Sequence, residues 1–239
     1  MKRVLISGGS RGIGAALVRA FTNAGHKVAF LYRNSHDAAA ALAAETDAIA
    51  ICCDIADPDA VKRAVALATA ELGGAPEILV NNAGISMIGL SRDVTDPEWR
   101  RICDTNLSGA FYLCREVQGA MISAHCGRII NIGSMWGKTG ASCEVAYSAT
   151  KAGLRGLTAS LAKELGPSGI TVNCIEPGLI ETEMNSALDA EAKAALIEET
   201  PVCRIGTTED VATAVLFFAD ERTAFITGQI LGVDGGFAI

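Results

Sequence analysis

Seven short runs rich in β-branched residues recur along the chain, and the apolar residues within each are continuous rather than alternating. They fall at Val4–Ser7, Val28–Tyr32, Ala48–Cys53, Ile78–Val80, Arg128–Ile132, Thr171–Ile175 and Gln229–Val233. A strand with one wet face alternates; a strand apolar throughout is covered on both faces, as in a parallel sheet. Helical patterns fill the intervals at Gly12–Ala24, His36–Glu45, Pro58–Leu72, Pro97–Ala124, Tyr147–Leu165 and Glu209–Asp220. Asp57 and Asp96 each precede a proline suited to a first helical position, so each reads as an N-cap. The alternation predicts an α/β chain with one domain over residues 1–239: a Rossmann fold, doubly wound, with a seven-stranded parallel sheet and helices on both faces.

Composition narrows the function. Half of the 239 residues are apolar, enough for such a core, and only 5% are aromatic, so that core is aliphatic. A net charge of −7 repels polyanions and argues against a nucleic-acid partner. Cys52 and Cys53 are adjacent, the other cysteines are scattered singly and no C-x-x-C pair occurs, so the thiols read as reduced core residues of a cytoplasmic protein. With only His26, His36 and His125, no metal-ligand spacing is present, and no metal is expected. The apolar stretch after Met1-Lys2-Arg3 reaches Gly8 too soon for a signal peptide or a membrane span, so no membrane association is expected.

Ser7-Gly8-Gly9-Ser10-Arg11-Gly12-Ile13-Gly14 follows the first strand and opens the first helix. Glycines there let the backbone turn tightly and approach a pyrophosphate seated on the helix N-terminus. In an NAD site the second strand ends on an acid that binds the ribose 2′-hydroxyl. Here it ends Tyr32-Arg33-Asn34, and Arg33, with Arg11 in the glycine loop, suits a 2′-phosphate instead. The cofactor expected is NADP(H), cradled by Gly8, Ser10, Arg11, Gly12, Ile13 and Gly14.

A second group lies further along. Ser134 follows the fifth strand, Asn106 lies in the long middle helix, and Tyr147 and Lys151 are one helical turn apart on one face. Hydride arriving at a carbonyl carbon builds charge on oxygen, which needs a proton donor. A free tyrosine has a pKa near 10, and a neighbouring ammonium is expected to lower it. Ser134 would hold the carbonyl.

Together these motifs resemble the short-chain dehydrogenase/reductase family over residues 3–236. The resemblance includes Asn81-Asn82-Ala83-Gly84 after the fourth strand, Asp54 after the third, and Pro177-Gly178 followed by Thr182. It implies that Asn82, Ala83 and Gly84 border the adenosine, that Asp54 contacts adenine, and that Pro177, Gly178 and Thr182 close over the nicotinamide. It further implies that Tyr147 and Lys151 touch the cofactor and that Asn106 holds a relay water with Lys151. Gly127–Ser134 and Ile226–Gly236 resemble 3-oxoacyl-(acyl-carrier-protein) reductases, which implies a homotetramer and a substrate on acyl carrier protein, with Arg128 a basic residue for docking. Ser134–Gly137 and Gly140–Tyr147 more narrowly resemble 5-aminopentanone reductases that act on elongation factor P. There Glu144 would pair with a substrate amine and Trp136 would wall the pocket, where otherwise Glu144 is a solvated loop acid and Trp136 plain core.

Three readings stay open at this level. Gly8-x-Ser10-x-Gly12 also satisfies the nucleophile elbow of a serine hydrolase, with His125 the only late histidine. A non-catalytic NADPH sensor would keep the glycine loop without needing Tyr147. Residues 178–204, polar and helix-prone, read as a lid over the strand ends or as a surface insertion.

Overall fold

The computed structural model describes residues 1–183 and 189–239. Seven strands form one parallel sheet in the order β3-β2-β1-β4-β5-β6-β7. They are β1 (Arg3–Ser7), β2 (Lys27–Tyr32), β3 (Ile49–Cys52), β4 (Ile78–Asn81), β5 (Gly127–Ile132), β6 (Ile170–Pro177) and β7 (Ile230–Val233). Continuous apolar runs have the reason expected of them. Successive residues feed opposite layers, Leu5, Leu31, Leu79, Ile129 and Val172 one core and Ile6, Phe30, Val80, Ile130 and Ile175 the other.

Helices cover both faces, and a single turn, α6 (Trp136–Thr139), follows the end of β5. On one side α1 (Gly12–Asn23), α2 (His36–Thr46) and α9 (Thr208–Ala219) bury Leu17, Phe21, Leu42, Val215 and Phe218; on the other α3 (Pro58–Leu72), α5 (Gly109–Ala124) and α7 (Val145–Leu165) bury Val61, Leu72, Leu113, Met121 and Leu165. Strand order reverses between β1 and β4, and a crevice opens at the carboxyl ends of strands at such a point.

Several details depart from the sequence reading. Asp57 caps α3 as expected, accepting from the N–H groups of Asp59 and Ala60, but Asp96 is the first residue of α4 (Asp96–Cys103) rather than its cap. Thr95 takes that place in a capping box with Glu98, because the hydroxyl and carboxylate three residues apart satisfy two end groups reciprocally. The middle helix is not one regular rod. A π segment, Asp104–Ser108, separates α4 from α5. Residues 178–204 contain a helix, α8 (Ala190–Glu199), and a bridge from Ile180 to Gly206; part of that interval, 184–188, lies outside the described residues. All eight cysteines are unpaired, with Cys53, Cys114 and Cys174 buried in the core but Cys52 and Cys203 exposed.

Candidate active site

The floor of the crevice is built where β1 meets β4. The Ser7 hydroxyl accepts from the N–H groups of Asn82 (3.0 Å) and Ala83 (3.1 Å), while the Asn82 amide donates to the carbonyls of Ser7 and Gly8, each at 3.0 Å. Ser7 thus does structural work that no sequence motif assigns to it, and Asn82 secures the loop. Gly8 has φ +66° with Ala83 against it, and a Cβ on Gly14 would come 2.0 Å from the Gly8 carbonyl oxygen. Among the described residues no side chain caps the first turn of α1, and Gly12, Ile13 and Gly14 of that turn border the crevice.

A cleft of about 1070 Å³ runs from this floor across the strand ends. It is lined by Gly8, Ser10, Arg11, Gly12, Ile13, Gly14, Arg33, Asp54, Asn82, Ala83, Gly84, Ser134, Trp136, Glu144, Tyr147, Lys151, Pro177, Gly178 and Thr182, so every expected site residue except Asn106 borders it. Met87, Ile88 and Ile102, which the sequence did not single out, supply apolar wall.

Both arginines read as phosphate ligands carry internal partners. Arg11 Nη1 meets Glu183 at 2.8 Å, and Arg33 Nη1 meets Asp54 at 3.4 Å. Asp54 also accepts the Ala56 N–H at 3.1 Å, closing its own turn. Thr182 lies 3.5 Å from the position a Gly12 Cβ would take, so the segment after β6 crosses the glycine loop.

At the other end, backbone bonds carry the β5–β6 ladder past the strand. Gly133 N–H donates to Ile175 at 2.7 Å and Met135 N–H to Pro177 at 3.0 Å, fixing Ser134 between them. Tyr147 and Lys151 project from α7, with Lys151 Nζ 5.6 Å from the phenol ring centroid. The expected lowering of the phenol is reversed. Burial pushes Tyr147 up to about 12; hydrogen bonding with Ser134 opposes this and the nearby Glu144 carboxylate adds to it. Lys151 Nζ donates to the Ile132 carbonyl at 2.7 Å, and burial pulls it down to about 8.

Asn106 is fully buried in the π segment. Its Oδ1 accepts from Ile85 N–H at 2.8 Å, and its Nδ2 donates to Ile85 O at 2.9 Å and to Thr150 Oγ1 at 3.2 Å. Thr150 in turn donates to the Tyr147 carbonyl at 2.8 Å. Asn106 therefore fastens the β4 loop to the helix of Tyr147, and Thr150, inside the Y-S-A-T-K stretch, was the overlooked link. A Cβ on Gly84 would sit 3.4 Å from both Asn106 Oδ1 and Lys151 Nζ, so both polar groups converge on that glycine.

Glu144 and Trp136 are each part wall and part scaffold. Glu144 is half-buried and borders the cleft, its carboxyl is raised by burial, and it makes no salt bridge among the described residues. Trp136 stacks edge-on to Phe237 at 5.5 Å while facing the cleft. Arg128 is buried at the opposite end of β5, its Nη1 donating to Gly127 O at 2.9 Å, and offers no docking charge. His125 ends α5 at that same far edge, so no serine–histidine pair forms with Ser10 and the hydrolase reading falls. Among the described residues no cluster could hold a metal, and no helix is long and apolar enough to cross a membrane.

A Rossmann sheet whose cleft joins a glycine loop to serine, tyrosine and lysine defines an oxidoreductase acting on alcohol or carbonyl groups. A family model described as enoyl-(acyl carrier protein) reductase matches residues 8–238, and the chain belongs to that short-chain dehydrogenase/reductase family. It is 38% identical over 240 residues to 3-oxoacyl-(acyl-carrier-protein) reductase FabG of Staphylococcus aureus, covering 98% of this chain and 97% of that one. Its structure is similar to that of 3-oxoacyl-(acyl-carrier protein) reductase from Brucella melitensis, with TM-score 0.92, 34% identity and coverage of 100% and 91%. It is likewise similar to a short-chain dehydrogenase/reductase from Serratia marcescens, with TM-score 0.92, 35% identity and coverage of 100% and 98%. Membership implies a nicotinamide cofactor, and the uncapped α1 terminus and bare glycine loop fit its pyrophosphate.

Proposed function

We propose that this chain reduces 3-oxoacyl thioesters with NADPH, as a cytoplasmic homotetramer acting on substrate carried by acyl carrier protein. One observation carries the reading: Ser134, Tyr147 and Lys151 line the same cleft as the uncapped N-terminus of α1. The names of the similar 3-oxoacyl reductases support the thioester, and eight unpaired thiols support a reducing compartment. Phe111 on α5 and Leu231 on β7, both large and exposed, support assembly through those elements.

The glycine loop and α1 would hold the pyrophosphate, Arg11 and Arg33 the 2′-phosphate, Asp54 and Asn82–Gly84 the adenosine side, and Lys151 with Pro177, Gly178 and Thr182 the nicotinamide half. The reduced nicotinamide, when bound, supplies the hydride. Ser134 donates a hydrogen bond to the carbonyl oxygen and orients it. Tyr147, kept protonated by burial, gives its proton to that oxygen as negative charge develops there. Lys151 holds positive charge behind the phenol, and with Asn106 marks the route by which the proton is replaced.

Glu144 supports a second reading, in which the ketone bears an amine, as in 5-aminopentanone-modified elongation factor P. A half-buried carboxylate without an ionic partner would be relieved by a cationic substrate. The purified chain, offered acetoacetyl thioester and the modified elongation factor in parallel with NADPH, decides between them by loss of NADPH absorbance. Turnover of the thioester alone supports the first reading; turnover of neither overturns both.

A further inference from the structure

β6 carries a charge where a parallel strand has least room for one. All eight of its residues are buried, and Glu176 is only 3% exposed. Its Oε2 accepts from Arg155 Nη1 at 2.6 Å, while its Oε1 makes no hydrogen bond among the described residues. Burial raises the carboxyl, and the Arg155 guanidinium opposes the rise. Arg155 keeps 33% of its side chain exposed while Glu176 is buried, and apolar side chains of similar volume would serve stability about as well, so stability alone does not account for the pair.

Its position does. Arg155 stands on α7 one turn beyond Lys151, on the helix that carries Tyr147. Glu176 lies against Gly133, where a Cβ would meet its Cγ at 3.0 Å, and Gly133 is the residue before Ser134. The ladder bonds from Gly133 to Ile175 and from Met135 to Pro177 flank Glu176 on its own strand. Ser134 thus rides on the end of β6 and Tyr147 on α7, and a short charge-assisted bond ties the two.

We infer that the Glu176–Arg155 pair is a positioning device that sets the distance between the Ser134 hydroxyl and the Tyr147 phenol. Apolar packing would fill the same space but would let strand and helix slide, whereas one directional bond fixes them. The inference rests on the reductase reading of the site, since only there does that distance matter.

The test replaces both partners, Glu176→Leu with Arg155→Met, which removes the tie without leaving a buried charge alone. Thermal midpoint should be unchanged or higher and NADPH affinity unchanged, while kcat for acetoacetyl thioester falls about tenfold, as expected for a small misplacement. In a Ser134→Ala background the same replacement should cost less than about twofold, because no hydroxyl remains to be placed. Wild-type kcat in the double variant, or an undiminished loss in the Ser134→Ala background, overturns the inference. Should the double variant fail to fold, Glu176→Gln keeps the shape and offers Arg155 a neutral acceptor, and a loss of about two- to fivefold is expected; the absence of any loss overturns the inference. If Ser134→Ala alone leaves turnover intact, the reductase reading fails instead.

Discussion

At the dinucleotide end of the cleft, Ser7 and Gly8 meet Asn82 and Ala83 through main-chain groups joined by one hydroxyl and one short amide, and Gly14 packs directly on the Gly8 carbonyl. At the catalytic end, Ser134, Tyr147 and Lys151 come from the end of β5 and from α7 and are held by polar side chains: Asn106, Thr150 and Glu176, which are buried, and Arg155, which is partly exposed. A Cβ at Gly8 or Gly14 would press on backbone at 2.7 and 2.0 Å, whereas the second end is set by side-chain hydrogen bonds and ionisation. A phosphate is gripped by geometry the main chain already has, whereas a proton transfer depends on groups whose ionisation the fold must set.

The largest effect belongs to the catalytic end. Tyr147→Phe should lower kcat by about 10²- to 10⁴-fold while NADPH affinity, measured by fluorescence, stays within about threefold. Unchanged turnover would break the assignment and revive the sensor reading. Gly14→Ala attacks the opposite end: with a Cβ 2.0 Å from the Gly8 oxygen, the loop must shift. A loss of roughly 3 kcal/mol or more is expected in denaturant titration, with NADPH binding lost as well. A stable, binding-competent variant would show that the loop is looser than its contacts imply.

Arg33→Asp should weaken NADPH by about 10- to 100-fold and leave NADH nearly untouched, since only the 2′-phosphate is lost as a partner. Equal weakening of both would remove Arg33 from cofactor discrimination. Next comes pH. Lys151 is held down at about 8 by burial, so the ammonium is present below that pH and lost as pH rises through it. For the free enzyme, kcat/KM should therefore fall by up to about tenfold per unit above that point. A flat profile from about pH 7 to 10 would show that the ammonium is dispensable. The smallest effect is Glu183→Gln, which frees Arg11 from an exposed partner and should tighten NADPH by about two- to fivefold.

The same contrast explains what the sequence disclosed. Every strand was legible because parallel pairing leaves a mark in each run, and the glycine loop because its chemistry is local. The i, i+4 spacing of Tyr147 and Lys151 placed both on one face, yet nothing in it told that the ammonium would turn to Ile132 or that burial would govern the phenol. Those outcomes depend on residues brought from other strands. Asp104-Thr105-Asn106 reads as ordinary helix, so the π segment left no trace. Thr95 was hidden for a smaller reason: Asp96-Pro97 offers an equally good cap, and only the reciprocal bond to Glu98 decides between them.

The wide turn at Asp104–Ser108 has a consequence for how this chain can vary in length. Each helical residue advances the phase by about 100°, and a wide turn takes up one surplus residue without passing that rotation on. Ile102 before the turn is aimed at the cleft, and Leu113, Val117 and Met121 after it at the sheet. Removing a single residue within the wide turn would mend the helix and leave those three in their seats, whereas the same deletion in α4 or α5 would spin residues on its two sides out of phase. The joint is thus the one place where this rod has slack in length.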